Sequence, residues 1–448
     1  MMKRSYNRRV FLTTSATSIF AASCGKNGAA TEPPLVTDPR ATDGDDQHEP
    51  TWEERFAITV GRSDADLIGE DDRVIQAAVD YVARRGGGTV NIKPGTYTLR
   101  NAIQLASGIR IVGSGPETII TKHASNTVRL TEDSDWYDQE ITLADSSGFD
   151  VGDGVVLRAK NPHNGGQEVI KRTLVARHGN RFRLNEGLRK NLWLSGTPTC
   201  SSTFPLLTSE YTQNVEIADL TLDGNRANNE LLDGNYGGCI FLQDCRRYQI
   251  RNVTAKNYHG DGISFQICHD VKVQDCRCFD NANLGLHPGS GSQRPVILRN
   301  ELARNNIGLF WCWGVKYGLA EGNRINDNRQ FGVSIGHNDT NNVMRDNDIR
   351  NSGQVGILFR DDDRGKDFWA NRNTIENNRI VNSGGRNGAA IDIYGKTKDV
   401  RIIGNELTET RSPEARVGVR IRSLVGPVEL QANRFSGFSA NVVDERFA

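Results

Sequence analysis

A short phrase returns through the second half of the chain at an almost fixed interval. Cys239-Ile240, Gly262-Ile263, Gly285-Leu286 and Gly308-Leu309 are spaced by 23 residues, Gly332-Val333 and Gly356-Ile357 follow at 24, and Ala390-Ile391 and Gly418-Val419 continue the series. A period of this size marks a solenoid, in which each repeat buries its apolar face only by stacking on its neighbours. Each phrase opens a strand that alternates apolar and polar. Ile263 and Phe265, Leu309 and Trp311, Val333 and Ile335, Ile357 and Phe359, and Ile391 and Ile393 therefore point inward while the residues between them face out. A second register runs in phase with the first: Asn300-Glu301-Leu302, Asn323-Arg324-Ile325, Asn347-Asp348-Ile349, Asn378-Arg379-Ile380, Asn405-Glu406-Leu407 and Asn433-Arg434-Phe435 each set Asn two residues before a core position. Asparagine tolerates left-handed turns, and its amide bonds both local backbone and a stacked copy of itself, so one Asn per coil satisfies a turn that is otherwise buried.

The repeat also settles how 448 residues, too many for one compact core, are arranged. A glycine count of 46, with hydrophobic residues at only 37%, suits short strands and tight turns. Basic and acidic residues balance at 55 each, which removes any general electrostatic case for nucleic acid or an anionic membrane surface. Residues 1–23 read as an export signal. Asn7-Arg8-Arg9-Val10-Phe11-Leu12 resembles a twin-arginine motif, and the apolar run behind it is too short to span a bilayer. Ala21-Ala22-Ser23-Cys24 resembles a lipoprotein cleavage box, so Cys24 is the candidate lipidation site and the one expected membrane contact. Residues 24–55 are polar and acidic, a tether. The expected location is periplasmic or at the cell surface.

Residues 56–127 carry the start of the solenoid. Asp71 to Arg85 has apolar residues at helical spacing, an acidic start, a basic end and Gly86-Gly87-Gly88 as its stop, which predicts a capping helix. Short alternating strands follow at Thr89-Val90-Asn91-Ile92, Pro94-Gly95-Thr96-Tyr97 and Ile109-Arg110-Ile111-Val112. Residues 128–207 contain strand-like stretches without the later regularity and read as an inserted small β subdomain, and residues 208–448 as the main solenoid. The opening helix with its three glycines, the Pro94-Gly95-Thr96-Tyr97 phrase and the Asn-bearing coils resemble the pectin-lyase-like superfamily of right-handed parallel β-helix proteins, from about Ala57 to the C-terminus apart from the insertion. The resemblance implies an all-β fold, an extracellular polysaccharide as partner, and an activity among lyases, glycoside hydrolases, epimerases and sugar-binding spikes.

In a parallel sheet equivalent outward residues stack at ~4.8 Å, a wall suited to an extended sugar chain. The outward pairs are Ser264 and Gln266, His287 and Gly289, Phe310 and Cys312, Ser334 and Gly336, Leu358 and Arg360, Asp392 and Tyr394, and Arg420 and Arg422. The turns that follow add Trp313, Lys316, His337, Asp339 and Asp361-Asp362-Asp363. Lys316, His337, Arg360, His287 and Asp361 are the catalytic candidates. Gln266, Trp313, Asp339, Asp392, Tyr394 and Asp261 are the substrate-binding candidates. A lyase needs a cation or metal against a uronate carboxylate and a base for the C5 proton, which this mixture offers. Structural roles compete at each position: His287 suits the turn at Pro288-Gly289, His337 an Asn338-Asp339 turn, Asp261 a turn cap, and Arg360 with the three aspartates a solvated salt-bridged loop. Asp361, Asp362 and Asp363 are also weak candidates for Ca2+, without a regular calcium-loop spacing.

A hydrolase needs two carboxyl groups facing each other across the glycosidic bond. Tyr258-His259-Gly260-Asp261-Gly262 resembles polygalacturonase-type hydrolases, but His287 stands on the next coil where their paired aspartates belong. The favoured reading is a polysaccharide lyase acting by β-elimination on a uronate polymer; the alternatives are a glycoside hydrolase and a non-catalytic or epimerising glycan-binding solenoid. Cys245 and Cys268, stacked on neighbouring coils, are suited equally to a disulfide and to a column of buried thiols.

Overall fold

The computed structural model describes residues 50–411 and 415–447. The export signal, Cys24 and most of the 24–55 tether lie outside the described residues.

The regular structure of the described chain is almost entirely strand, with one α-helix (α1, Asp72–Arg84) and a few single 3-10 turns. Eleven short parallel strands, one from each coil, make one continuous sheet: β1 Ile103–Gln104, β2 Leu207–Glu210, β3 Ile240–Gln243, β4 Ile263–Gln266, β5 Leu284–Gly289, β6 Ile307–Phe310, β7 Phe331–Ile335, β8 Val355–Phe359, β9 Ala389–Ile393, β10 Val417–Ile421 and β11 Ala440–Asp444. The other parallel strands form a 22-stranded hydrogen-bonded set. In it two core series run unbroken. Val273, Ile297, Ala320, Met344, Ile375 and Ile402 pair in sequence, as do Cys278, Leu302, Ile325, Ile349, Ile380 and Leu407. Both series are buried, so every coil adds its apolar residues to one tubular core.

Asparagine joins these two series. Asn300 Oδ1 accepts from the Cys276 backbone N–H at 2.9 Å, and Asn323, Asn347, Asn378, Asn405 and Asn433 repeat the bond to the coil before at 2.8–3.0 Å. Each Nδ2 reaches a core-strand carbonyl of the preceding coil, as Asn323 to Ile297 O and Asn347 to Ala320 O, both at 3.0 Å. Cys276 holds the first rung, its thiol facing Ile250 O at 3.5 Å where later coils use an amide. A second ladder, Asn281, Asn305 and Asn328, continues as Ser352 and Ser383. The seven described cysteines are free thiols, and Cys268 Sγ accepts from the Cys245 backbone N–H at 3.4 Å.

Helix α1 buries Ile75, Ala78, Val79 and Val82 against the first coils. Asp71 accepts from Arg73 N at its start, which satisfies one of the free N–H groups there. Between Lys122 and Leu207 the chain leaves the solenoid and builds a six-stranded antiparallel sheet from Thr127 to Ser201, with a separate apolar cluster that includes Leu157, Leu174, Phe182 and Leu192. Lys122 stands where the chain departs and clasps the returning strand. Its ammonium donates to Thr203 Oγ1 at 3.0 Å and Phe204 O at 2.8 Å, over the rings of Phe204 and Tyr258. Full burial without a carboxylate partner pulls its pKa from 10.5 to about 7.

Two expectations follow. Asn347→Ala leaves Asn323 N–H and Ala320 O buried without partners, a cost of roughly 2–4 kcal/mol that urea denaturation will read. Because the amine sheds its proton more readily folded than unfolded, the native state binds fewer protons between pH 7 and 10.5 and gains stability as pH rises, on the order of 5 kcal/mol across that window. Melting temperature should climb from pH 6 to 9, and Lys122→Met should flatten the climb; an equal slope in the variant rules the amine out.

Candidate active site on the eleven-stranded face

Two outward columns run along this face in strict register. One reads Gln104, Thr208, Phe241, Ser264, His287; it resumes through Phe310, Ser334, Leu358, Asp392 and Arg420. The other reads Glu210, Gln243, Gln266, Gly289, Cys312 and, further on, Arg360, Tyr394 and Arg422 on the coils beyond. Side chains meet on this wall in three groups.

The first group is centred on His287, which is 3% exposed. Its Nδ1 lies 2.8 Å from Asp261 Oδ2 and 3.3 Å from Ser264 Oγ. Asp261 is fully buried; burial pushes its carboxyl up while the bonds to His287 and to Leu284 N–H draw it down. The segment 230–237 closes over both residues. Gly234 O accepts from Ser264 Oγ at 2.6 Å and from Gln266 Nε2 at 3.3 Å, and a Cβ on Gly234 would overlap Asp261 Oδ2. Only glycine lets this backbone approach so closely. These contacts decide the His287 tautomer. A carbonyl only accepts, so the Ser264 proton goes to Gly234 O, and Ser264 Oγ must itself accept from Gln266 Nε2 at 3.0 Å and from His287 Nδ1. Nδ1 therefore carries a proton, and in the neutral ring Nε2 keeps the lone pair. Nε2 is buried and has no hydrogen-bond partner, and the ring packs edge-on to Phe310 at 5.3 Å.

The second group gathers around Arg360, whose guanidinium lies 4.4 Å over the same Phe310 ring. It donates to Ser334 Oγ at 2.9 Å and Trp311 O at 3.0 Å and lies 3.7 Å from Asp339 and 3.9 Å from Asp362. Gly336, directly below, has no side chain to block it. Asp339 is fully buried and accepts from Val315 N–H and Gly336 N–H at 2.9 Å each; burial pushes its carboxyl up to about 6 against the pull of Arg360. The coil after Gly356 is longer than its neighbours, and its extra residues carry Asp361 to Phe368 over the wall. There Arg364 covers the Trp313 ring at 3.8 Å, Trp313 Nε1 donates to Asp362 at 3.1 Å, and His337 sits between Trp313 and Phe368. His337 Nδ1 accepts from Arg364 N–H at 2.9 Å, so its proton is on Nε2 and the ring offers a donor there. The third group is ionic: Asp392 is buried against Arg422 at 2.9 Å, and Arg422 donates to Tyr394 OH at 2.7 Å and meets Glu445 at 3.3 Å.

The model of the family described as "Right handed beta helix region" matches residues 238–407, and that described as "Periplasmic copper-binding protein (NosD)" matches residues 117–311. The fold is that of a right-handed parallel β-helix. Among solved structures, this β-helix is similar to the A-modules of two mannuronan C-5 epimerases of Azotobacter vinelandii. AlgE6 is 18% identical over 84% of this chain and 92% of its own, with a TM-score of 0.54; AlgE4 is 17% identical over 86% and 97%, with a TM-score of 0.53. ORF18 of Geobacillus virus E2 is 13% identical over 86% of this chain and 62% of its own, at a TM-score of 0.53. At these identities the likeness is one of fold. A comparison with curated protein sequences finds no match.

Several expected site residues stand differently from the sequence reading. Lys316 is not on the wall: it pairs in register with Gln293 and Thr340, on the corner leading into the larger strand set, and no described contact ties it to His287 or Arg360. Gln266, Asp261 and Asp392, expected to meet substrate, are buried at 5%, 0% and 2% exposure, because the Gly234 segment covers the first two and arginines enclose the third. Trp313 has one ring face already taken by Arg364. The three aspartates diverge: Asp361 is exposed, Asp362 turns to Trp313 and the arginines, and Asp363 accepts from Gly365 N–H at 2.9 Å. Among the described residues no three His, Cys, Asp or Glu side chains are grouped as a metal cluster. The sequence reading missed Gly234, Ser264 as the residue that fixes the tautomer, and Phe310 as the ring shared by His287 and Arg360.

Nitrogen NMR of the labelled protein should find His287 protonated at Nδ1 and bare at Nε2. Asp261→Asn, whose amide can donate, should shift the proton towards Nε2, and a protonated Nε2 in the parent protein would refute the assignment.

Proposed function

We propose that this chain is an exported, carbohydrate-active β-helix that lays a uronate-containing polysaccharide along the eleven-stranded face and removes the C5 proton of one sugar, with β-elimination as the outcome. The observation that carries the reading is the bare, buried Nε2 of His287, held by Asp261 and Ser264 one strand before the Phe310–Arg360 pair. A neutral imidazole so fixed is a general base, and Asp261 stabilises the imidazolium that forms. Arg360 is the cation for the uronate carboxylate, which lowers the cost of charge developing there. The C5–H bond breaks, its proton goes to Nε2, the electron pair forms the C4–C5 double bond, and the C4–O bond breaks with the leaving oxygen taking a proton. Nε2 is buried, so substrate reaches it only when a covering group moves.

His337 serves in this reading as a donor through Nε2–H, with Trp313, Tyr394, Arg420 and Arg422 as the sugar-contacting rim. Epimerisation begins with the same proton abstraction, and the fold likeness to two enzymes named as C-5 epimerases favours it as the second reading. Export and lipidation at Cys24 belong to the proposal, supported by the signal-like N-terminus and by the periplasmic description of the NosD family.

Incubation with a panel of uronate polysaccharides should raise the ultraviolet absorbance of unsaturated uronate, and His287→Ala should lower kcat/KM by roughly 10²–10⁴-fold. Inverted C5 centres without unsaturation would move the assignment to epimerase. New reducing ends without unsaturation would sink the elimination.

A further inference from the structure

Beside the first strands of the same face lies a groove of about 580 Å³, within the size range of small-ligand sites. Its floor is the start of the His287 column, Gln104 and Thr208, together with Glu210 and Gln243 on the parallel column. Its other wall is the antiparallel excursion, which contributes Lys171 and Arg172 from a sheet strand and Arg189 and Lys190 from the loop that follows Arg181–Leu184. Four basic residues thus face two acidic ones in the lining, Glu186 and Glu210, and with Lys190 also paired to Glu168 at 3.1 Å the groove keeps a positive excess carried by Arg172 and Arg189, in a chain whose basic and acidic residues balance overall. A cleft with low-dielectric walls concentrates such an excess into a local positive potential.

The cations are held in place. Lys171 Nζ stands 4.1 Å over the Phe241 ring and 3.3 Å from Glu210. Arg172 is braced by Gly187 O and Leu188 O, so its guanidinium contributes charge at a fixed position. Arg189 lies over Trp136 at 4.9 Å and is exposed at the rim. The floor supplies polar groups without partners of their own: Thr208 Oγ1 is buried and makes no hydrogen bond, although Thr208 lines the groove. Along the sheet, Phe241 is two strands from His287, or ~10 Å, about the reach of two sugar units of an extended chain.

We propose that this groove binds the anionic sugars next to the reacting unit, so that the antiparallel sheet is a clamp for a uronate oligosaccharide, with Lys171, Arg172, Arg189 and Lys190 supplying the charge and the Thr208–Gln243 floor the hydroxyl contacts. It rests on the reading of His287 as the reacting centre, which fixes the direction in which the sugar chain runs. Neutral glycans lack the matching charge and are excluded by weak binding.

The test uses the full chain with hexasaccharides of galacturonate, mannuronate, guluronate and glucuronate, and cellohexaose as the neutral probe, followed by calorimetry. At least one uronate hexamer should bind, more weakly as salt rises, while cellohexaose should not. Arg189→Gln, at an exposed position, and the double variant Lys171→Gln/Arg189→Gln should weaken binding, the latter roughly tenfold. Arg277→Gln, on the other strand set, should leave it unchanged, and melting temperatures check that each variant is folded. No binding by any uronate hexamer, or equal binding by folded groove variants, overturns the clamp. His287→Ala separates the two ideas: it should keep full binding while losing turnover. Turnover retained in that variant condemns the base and spares the groove; turnover lost with binding indifferent to Lys171 and Arg189 does the reverse.

Discussion

From Cys276 to Asn405 each coil of this solenoid gives a backbone N–H to an asparagine one coil further on, and that transfer is what makes the rest of the molecule possible. A coil of two dozen residues has three corners, and each corner buries peptide groups that no strand can satisfy. Asn347 answers two of them at once, taking the Asn323 N–H and returning an N–H to Ala320 O, and passes another N–H to the Asn378 side-chain Oδ1. The amide has the required two donors and one acceptor in a fixed plane. Where Cys276 replaces it the thiol offers a single weak donor, which suffices for the rung facing Ile250 O. The price of register is low because every coil repeats the same bond. Register, in turn, is what turns residues 23 apart into neighbours.

Because register is strict, the columns of the functional face were readable from spacing alone. The pairing of Ser264 with His287, and of Leu358 with Asp392, is the pairing that period-2 alternation and the repeat dictate. What spacing does not carry is the third dimension above the sheet. Gln266 and His287 are outward residues, yet the 230–237 segment folds back over them, and that closure depends on the absence of one side chain at Gly234. A turn also breaks the column rule. Lys316 lies five residues beyond Trp311, and the corner between them carries it into register with Gln293 and Thr340, away from the face where its neighbours remain. Long coils defeat the rule from the other side: the extra residues around Asp361 let Arg364 and Phe368 reach back over Trp313 and His337, contacts that no count of strand positions predicts.

Burial of charge then divides the face by function. Asp392 is enclosed with Arg420 and Arg422, and each charge there is answered by an opposite one, a structural solution at the end of the sheet. Asp261 is enclosed with an imidazole that is neutral in the tautomer its neighbours impose, so its charge is answered by hydrogen bonds alone. Asp339 lies between these cases, with two backbone N–H groups and a guanidinium at 3.7 Å. A carboxylate answered only by hydrogen bonds gains most when a positive charge appears beside it. Of the three, Asp261 is thus the one whose environment improves if His287 takes up a proton, and the proposed role of His287 as a base draws on that asymmetry.

The same logic explains where the antiparallel sheet sits. A parallel β-helix offers a long, uniform face, and only an irregular element beside its strands distinguishes one point along that face from another. Here the chain leaves the solenoid after Lys122 and returns before Leu207, so the departure and return flank the first strands of the face and bring the basic side chains of the excursion against Thr208 and Gln243. The joint is held by a buried amine bonded to Thr203 and Phe204, which fixes the excursion relative to the coils more firmly than a surface ion pair would. An element so anchored keeps its wall at a constant height above the floor, and a constant height is what converts a row of cations into a site with a defined distance to His287.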